Sequence, residues 1–277
     1  MTMDIIDTQV HFNKIGSLDA GMAAMDAVGV AGVMFEEWSH FDEEKRPQPG
    51  ELLPNGEFRP LCPLAEAAAG QFPSRFGVLR RVGYRDPDLD AIARQLADAP
   101  YTGALRVLAD TPETLKALHD GEMDRLFAIA AKHGLPLFVL TNGRADVLER
   151  HARLFPGLSL VIDHCGLAHE KGSDGKSLDD VLKLARFPNV IVKWSHATYF
   201  LAGTSYPFGS VIPFLRRALD AFGERRIMWG SDFTINYPFA TWAEQLFYIR
   251  DSEHIGAHEK EWILGRTARN ILGWESA

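Results

Sequence analysis

LPLFVL at residues 135–140, LSLVID at 158–163, NVIVKW at 189–194 and RIMWG at 226–230 are short, almost uninterrupted apolar runs. Such runs are typical of parallel strands buried on both faces, whereas a strand with one solvent face alternates apolar and polar residues. The first half of the chain carries four more strand candidates, at residues 4–12, 30–36, 75–82 and 103–108. The sequence therefore predicts eight strands, most of them buried on both sides.

Helix-like stretches separate these strands, at residues 19–28, 87–98, 122–132, 145–154, 177–185, 211–222, 242–249 and 258–272. Asp86 is a candidate N-cap, with Pro87 at the first helical position. Eight strands alternating with helices over 277 residues predict one (β/α)8 TIM barrel domain spanning residues 1–277. A long loop insertion is expected around 37–74. A doubly wound open sheet is the alternative, but no phosphate-binding glycine loop favours it.

Charge and composition exclude several classes of protein. The chain has 29 Lys+Arg and 37 Asp+Glu, so its formal charge is −8, which disfavours nucleic acid and anionic membranes as partners. Its start lacks the basic and apolar segments of a signal peptide, and no apolar run approaches the roughly 18 residues of a membrane helix. Two cysteines build no disulfide framework. We therefore expect a soluble cytoplasmic protein.

Ionisable, amide and hydroxyl side chains end many of these apolar strands. The positions are Gln9, His11, Glu36, Glu37, Arg80, Arg81, Arg85, Arg106, Thr141, Asn142, Asp163, His164, Lys193, Ser195, His196, Ser231 and Asp232. In a barrel, catalytic residues emerge where strands end, so these residues predict a polar site at one end of the barrel. Arg80 and Arg81 must point in opposite directions on one strand, so one of them is expected to pair with an outer helix.

Several ordered segments resemble a known family. The segments are IDTQVHF (6–12), VIDHCG (161–166), VIVKWS (190–195), RIMWGSDF (226–233) and RTARNILGW (266–274). They resemble the amidohydrolase-related TIM-barrel hydrolases, most closely the branch with 2-pyrone-4,6-dicarboxylate lactonases, sugar lactonases and a sugar-lactone isomerase. The resemblance implies an amidohydrolase barrel in which Asp232 activates water or moves a proton.

Two departures from that family concern metal binding. Metal-dependent members carry His-x-His on the first strand, whereas this chain has Gln9-Val10-His11, and the fifth strand ends Leu140-Thr141 where a ligand is common. A neutral amide is a poor zinc ligand compared with imidazole. We expect no cofactor and metal-free chemistry, as in the dicarboxylate lactonases. If a metal such as zinc is present, the ligands would be His11, His164 and Asp232, with His196 as a further candidate.

The predicted function is a hydrolase that opens a lactone of a carboxylated or sugar-derived small molecule. Asp232 is the predicted general base, and His11 and His164 are the other predicted catalytic residues. The predicted substrate-binding residues are Gln9, Arg106, Thr141, Lys193, His196 and Tyr206. Arg106 is expected to bind an anionic group, because its guanidinium grips carboxylates in bidentate geometry. The expected partner is thus a small anionic or cyclic ester substrate.

Three other functions stay open at this stage. They are a metal-dependent decarboxylase of aromatic or muconate-type acids, a lactone isomerase, and a degenerate barrel without catalysis. The aromatic segment 197–213 either lines the pocket or packs beneath its own loop, and His169 is a further candidate for the site. The oligomeric state is also left open, with a homo-oligomer as one alternative.

Overall fold

Eight parallel strands form a barrel in the computed structural model, which describes residues 3–14, 17–38, 50–169, 175–201, 205–236 and 238–275. The barrel strands are β1 (Ile6–Val10), β2 (Gly32–Phe35), β5 (Phe76–Arg81), β6 (Gly103–Leu108), β7 (Leu137–Leu140), β8 (Leu160–Ile162), β9 (Val190–Trp194) and β10 (Ile227–Trp229). They pair in that order. Between β10 and β1, the Thr8 hydroxyl donates to the Trp229 carbonyl oxygen at 2.7 Å. The barrel is nearly closed, and the predicted TIM fold is confirmed.

The segment after β2 contains more structure than the predicted loop. Strands β3 (Gly50–Leu52) and β4 (Phe58–Pro60) form an antiparallel ribbon, and helix α2 (Pro63–Gln71) follows. Helix α2 takes the place of the second helix of the barrel, because Ala65 and Ala69 are fully buried on its inner face. Residues 39–49 of the predicted loop lie outside the described residues.

Most of the other helices lie at positions that the periodicity indicates, but three were not predicted, namely Pro112–Asp120, Ala197–Phe200 and Phe233–Asn236. These other helices are α1 (Leu18–Val28), α3 (Leu89–Ala97), α4 (Pro112–Asp120), α5 (Asp124–Lys132), α6 (Glu149–Leu154), α7 (Lys176–Lys183), α8 (Ala197–Phe200), α9 (Ile212–Phe222), α10 (Phe233–Asn236), α11 (Trp242–Arg250), α12 (Ala257–Glu261) and α13 (Thr267–Leu272). Helix α3 begins at Leu89 rather than Pro87, since the Asp86 carboxylate instead accepts hydrogen bonds from Arg59 and from the Asp88 backbone. None of the described helices combines the length and apolarity needed to cross a bilayer.

The predicted helix 258–272 is divided by a π-helical turn, Trp262–Arg266. Gly265 lies in this turn, and a Cβ atom there would stand 1.8 Å from the Asp4 carbonyl oxygen. Glycine therefore lets the closing segment approach the chain that enters β1.

One residue from each barrel strand fills the interior. This layer consists of Ile6, Met34, Leu79, Ala104, Phe138, Val161, Ile191 and Met228. Ala268 and Leu272 of α13, with Trp274, pack against it at the amino ends of the strands. Packed side chains fill the barrel and leave a cavity at its carboxyl end, as TIM barrels require.

Candidate active site

A cavity of about 660 Å³ opens at the carboxyl ends of the barrel strands. Aromatic side chains form much of its wall, namely Trp38, Phe58, Tyr199, Phe200 and Phe239. Gln9, His11, His164, His196 and Asp232 also line it. Another cavity, of about 690 Å³, lies at the amino ends, but among its lining residues only His133 and Glu275 are ionisable apart from Tyr101. The chemistry predicted from the sequence is thus concentrated in the first cavity.

Left-handed backbone turns follow four consecutive barrel strands. Asn142 after β7, His164 after β8, His196 after β9 and Asp232 after β10 have φ angles of 44°, 46°, 56° and 46°. Non-glycine residues rarely adopt this conformation, and it is concentrated at functional sites. In this barrel, three of the four residues place their side chains in the wall of the cavity.

The Asp232 carboxylate lies between two imidazoles. Its Oδ1 is 3.2 Å from His11 Nε2, and its Oδ2 is 2.8 Å from His196 Nε2. Burial alone would raise the pKa of Asp232, but the neighbouring His11 and His196 hold it well below its usual value. Asp232 is therefore ionised at neutral pH and able to accept a proton or hydrogen bonds.

His11 carries a proton on Nδ1, and its Nε2 lies 3.3 Å from the Gln9 side-chain nitrogen. Nδ1 is 2.7 Å from the Glu36 backbone oxygen, which can only accept, so Nδ1 donates. Burial alone would lower the pKa of His11, but the charges of Asp232 and Glu36 raise it above the usual value. His11 Nε2 lies 3.2 Å from Asp232 Oδ1, and the two side chains are only 1% and 3% exposed.

A buried ion cluster lies beneath this pair. Arg106 donates from Nε to Asp163 and from Nη1 to Glu36, both at 2.6 Å. Lys193 pairs with Asp163 and donates to the Gln9 side-chain oxygen. Gln9 Nε2 in turn donates to Glu36 at 2.7 Å. The cluster connects the ends of β1, β2, β6, β8 and β9 and fixes the floor of the cavity.

His164 is held as a neutral ring. Arg106 Nη2 lies 3.1 Å from its Nε2, and a guanidinium can only donate, so Nε2 accepts. Its proton is therefore on Nδ1, where it faces the Ser195 hydroxyl at 2.8 Å. Burial, together with the charges of Lys193 and Arg106, holds the pKa of His164 well below its usual value.

Six of the predicted site residues line the cavity: Gln9, His11, Arg106, His164, His196 and Asp232. Three do not. Lys193 and Thr141 are fully buried behind the wall, and Tyr206 is 42% exposed beside Phe208 instead of in the cavity. In the aromatic segment, Tyr199 and Phe200 line the cavity.

The expected role of Arg106 needs revision. Its side chain is only 5% exposed, and its charge is already matched by two protein carboxylates. It is a poor candidate for gripping a substrate carboxylate in bidentate geometry.

Three further charged or titratable residues line the cavity, and only Asp110 among them was not singled out from the sequence. Arg80 pairs with Glu66 of α2, so Arg81 is the arginine of this strand that reaches the cavity. Asp110, two residues after β6, also lines it. A carboxylate soon after an apolar strand was the available signal for Asp110. His169 lines the cavity too and stacks on Phe200.

Three groups lie close enough together to share a cation: His164, His196 and Asp232, with one ligand atom of each within 4.8 Å of the others. His11, which was expected in such a set, is not one of these three, and its Nε2 lies 3.2 Å from Asp232 Oδ1. The surroundings fit a divalent ion poorly, because His164 Nε2 accepts from the permanently charged Arg106 and His196 Nε2 is paired with Asp232.

Comparisons with known proteins agree on one family and fold. A family model described as amidohydrolase matches residues 6–274. A Pseudomonas putida protein provisionally described as a 2-pyrone-4,6-dicarboxylic acid hydrolase is 18% identical, with a TM-score of 0.74 and 99% of both chains covered. A Burkholderia multivorans amidohydrolase with bound zinc is 19% identical, with a TM-score of 0.75 over 98% of this chain and all of the other.

A 2,6-dihydroxybenzoate decarboxylase is also similar, at 12% identity and a TM-score of 0.62 over 98% of this chain and 99% of the other. At such identities these solved structures establish likeness of fold alone. No curated protein matches the chain.

Proposed function

The chain belongs to the amidohydrolase family, and we propose that it is a hydrolase that opens a lactone of a carboxylated or sugar-derived small molecule. One observation carries this proposal: the Asp232 carboxylate lies 3.2 Å from His11 Nε2 in the wall of a largely aromatic cavity. Lactone opening needs a proton acceptor for water and a proton donor for the ring oxygen. Asp232 serves as the acceptor, and His11 in its protonated form serves as the donor.

The reaction follows from the positions of these protons. Asp232 accepts a proton from water as the water oxygen forms a bond to the lactone carbonyl carbon. The imidazolium of His11 and the charge of Arg106 stabilise the negative charge that develops on the carbonyl oxygen. The bond to the ring oxygen then breaks, and His11 Nε2 protonates that oxygen as it leaves as an alcohol. The products are a hydroxy acid, protonated Asp232 and neutral His11.

Return of the proton from Asp232 to His11 across the 3.2 Å contact restores the starting pair. The hydroxy acid loses its own proton at neutral pH. One proton is therefore released for each ester bond opened, which provides the assay.

Metal independence forms part of the proposal and is supported by the charges of the cluster. Arg106 is permanently charged, and its Nη2 lies 3.1 Å from His164 Nε2. A divalent cation bound to that nitrogen would be repelled by the guanidinium in a buried site. Gln9, which stands where metal-dependent relatives carry histidine, is engaged by Lys193 and Glu36 instead.

A metal-dependent decarboxylase is the second candidate, since His164, His196 and Asp232 lie within reach of one ion. A lactone isomerase would use the same residues without consuming water. We also propose a cytoplasmic location, in line with the two free cysteines, Cys62 and Cys165, both buried.

The test is a panel of neutral and carboxylated lactones, followed by proton release and by chromatography of the products. Hydrolysis gives a hydroxy acid with one proton, and isomerisation gives a second lactone without proton release. Loss of carbon dioxide from an aromatic acid, with no lactone opened, would contradict the lactonase proposal and favour the decarboxylase.

Removal of bound metal by a chelator distinguishes the metal-independent lactonase from the metal-dependent decarboxylase. Prolonged dialysis against a chelator should leave the rate of lactone opening unchanged, and Gln9→His should not raise it, because no ion contributes to the reaction. Elemental analysis of the purified protein is the accompanying measurement. A stoichiometric metal whose removal abolishes activity, and whose return restores it, would contradict metal independence.

A further inference from the structure

A buried carboxylate lies at the seam of the barrel that brings His11 close to Asp232. Asp7, on β1, is fully buried and stands four residues before His11 in the chain. Strands β1 and β10 meet at this seam, and the turn after β10 carries Asp232. The proposed reaction leaves Asp7 without a role, although a buried carboxylate is costly unless its oxygens are engaged.

Four neutral donors surround the Asp7 carboxylate. Its Oδ1 accepts from the backbone N–H groups of Gln9 at 3.1 Å and Ser231 at 2.9 Å. Its Oδ2 accepts from Trp242 Nε1–H at 2.8 Å and from the Ser231 hydroxyl. Burial raises the pKa of Asp7 to about 6, and these four hydrogen bonds oppose that shift. Because amide and indole N–H groups can only donate, both carboxylate oxygens must act as acceptors.

On the β10 side, these hydrogen bonds hold the backbone on either side of Asp232. The Ser231 hydroxyl oxygen accepts from the Phe233 backbone N–H at 3.1 Å while its own proton goes to Asp7. Asp7 therefore fixes Ser231 directly and Phe233 through the hydroxyl. Asp232, between them, has a left-handed φ angle of 46°, which a non-glycine residue keeps only where its surroundings enforce it.

On the β1 side, the same carboxylate holds the segment that leads to His11. The pairing of β1 with β2 shifts its register between Asp7 and Val10, so this part of the strand is irregular. Gln9 lies in the irregular part, where its N–H donates to Asp7 and its carbonyl oxygen accepts from the Asp232 backbone N–H at 3.1 Å. One carboxylate thus joins the irregular part of β1 to the turn after β10.

An amide of the same shape could not hold all four donors. If the oxygen of an asparagine at this position kept the two backbone N–H groups, its NH2 group would face the Trp242 N–H. Two donors would then meet in a buried site, and one of them would lose its acceptor. The turn at Ser231 would have to move to relieve this contact, and Asp232 would move with it.

We propose that Asp7 is a positioning residue, which sets the separation of Asp232 and His11 by holding Ser231 and Gln9 at the seam of the barrel. It acts through these groups and not on the substrate itself. This inference rests on the roles that the proposed function gives to Asp232 and His11, and it adds to them the residue that aligns the two.

The experiment measures kcat and KM of Asp7→Asn on the best lactone of the panel, well below the melting temperature of every variant. We expect kcat to decrease about 10- to 100-fold, because a small misplacement of a reacting group is costly, with KM unchanged within about twofold. Thr8→Val is the matched control, since it removes a buried hydrogen bond to the Trp229 carbonyl oxygen at the same seam. It should lower the melting temperature without changing kcat.

A double variant tests the physical cause of this loss. Trp242→Phe removes the donor that an asparagine cannot accommodate and keeps an aromatic ring against Phe233, on which Trp242 stacks at 4.3 Å. Asp7→Asn combined with Trp242→Phe should therefore recover at least part of the lost kcat. The absence of any recovery would assign the loss to the missing charge and would overturn the positioning role.

Crystal structures of the variants give a measurement that does not depend on activity. The distance between Asp232 Oδ1 and His11 Nε2, 3.2 Å in the wild type, should lengthen in Asp7→Asn and stay unchanged in Thr8→Val. If the wild type opens no lactone, the lactonase function fails and this distance alone decides the role of Asp7. If Asp7→Asn does not fold, Ser231→Ala, which removes only the hydroxyl link, takes its place with the same expected displacement.

Three results would overturn the proposal. They are an unchanged distance, an unchanged kcat in a folded Asp7→Asn protein, and an equal loss of kcat in Thr8→Val.

Discussion

At the scale of single residues, the catalytic pair depends on unusual backbone conformations. Asp232 and His196 both have left-handed φ angles, and each follows a buried strand within three residues. These turns bring the His196 ring to 2.8 Å from Asp232 while His11 approaches from β1. Conformational strain at these positions is offset by the buried hydrogen bonds they make possible.

Asp232→Asn should lower kcat by about 10²- to 10⁴-fold, because an amide cannot accept the proton of water. The variant should stay folded, since an amide oxygen can still accept a hydrogen bond from His11 or His196. Proton-release kinetics measure the rate, and a thermal melt measures whether the variant is folded. Asp98→Asn, which changes an exposed carboxylate, is the control. Near wild-type activity in a folded Asp232→Asn protein would remove this residue from the mechanism.

The activity should decrease at alkaline pH through the titration of His11. Asp232 and Glu36 raise the pKa of His11, while burial and Arg106 oppose them, so the imidazolium persists above the ordinary histidine range. The protonated donor is fully present below that raised pKa and is lost as the pH increases through it. Asp232, whose pKa is lowered, stays ionised throughout this range.

A pH profile of kcat/KM checks this expectation. The alkaline decrease should involve one proton and should be absent from the residual activity of His11→Gln. An identical alkaline limb in His11→Gln would assign the titration to another group.

At the scale of elements, the buried ions connect the ends of strands that are distant in sequence. Arg106 on β6 bridges Glu36, directly after β2, and Asp163, directly after β8. Asp7 on β1 similarly accepts hydrogen bonds from the Ser231 backbone at 2.9 Å and from Trp242 at 2.8 Å, across the seam between β1 and β10. These side chains align the strand ends that carry the catalytic residues.

Arg106→Met should lower the free energy of unfolding by about 3–5 kcal/mol, because it leaves Glu36 and Asp163 buried without their partner. It should also reduce kcat/KM for neutral and carboxylated lactones by similar factors, since the guanidinium is engaged by the protein. Urea unfolding measures the loss of stability, and kcat/KM for one neutral and one carboxylated lactone measures the loss of activity. Arg106→Lys should recover part of the stability, because it keeps the charge without the planar fork. A loss confined to the carboxylated lactone would restore the original expectation that Arg106 binds the substrate anion.

At the scale of the whole molecule, the filled barrel interior separates the amino ends of the strands, where α13 and Trp274 pack, from the cavity at their carboxyl ends. Phe138 is fully buried in the interior layer, with Lys193 Nζ 5.7 Å from its ring centroid. This aromatic ring therefore connects the apolar core to the ion cluster above it.

Phe138→Ala should destabilise the protein by about 3–5 kcal/mol, because it opens a cavity in the barrel core. The urea midpoint should shift accordingly, whereas Leu154→Ala, at a position 51% exposed, should have little effect. An equally small shift for Phe138→Ala would mean that the barrel core collapses around the missing ring.

The sequence alone determined the barrel, its strands and most of its site. Near-continuous apolar runs of this length favour strands buried on both faces, and strand ends in a barrel converge on one opening. Gln9, His11, His164 and Asp232 could therefore be grouped before any coordinates. Helix limits such as the start of α3 were less certain, because Asp86 has a long-range partner in Arg59 that no local pattern reveals.

The tertiary structure decided which charged side chains line the cavity and which form ion pairs with one another. Lys193 and Arg106 looked like substrate ligands in sequence, yet Asp163 and Glu36 from distant strand ends engage them. Arg81, by contrast, reaches the cavity because its neighbour Arg80 turns outward to Glu66 of α2. Side-chain alternation along a strand is a local property that sequence carries, whereas the partner of a buried charge depends on three-dimensional packing between segments far apart in the chain.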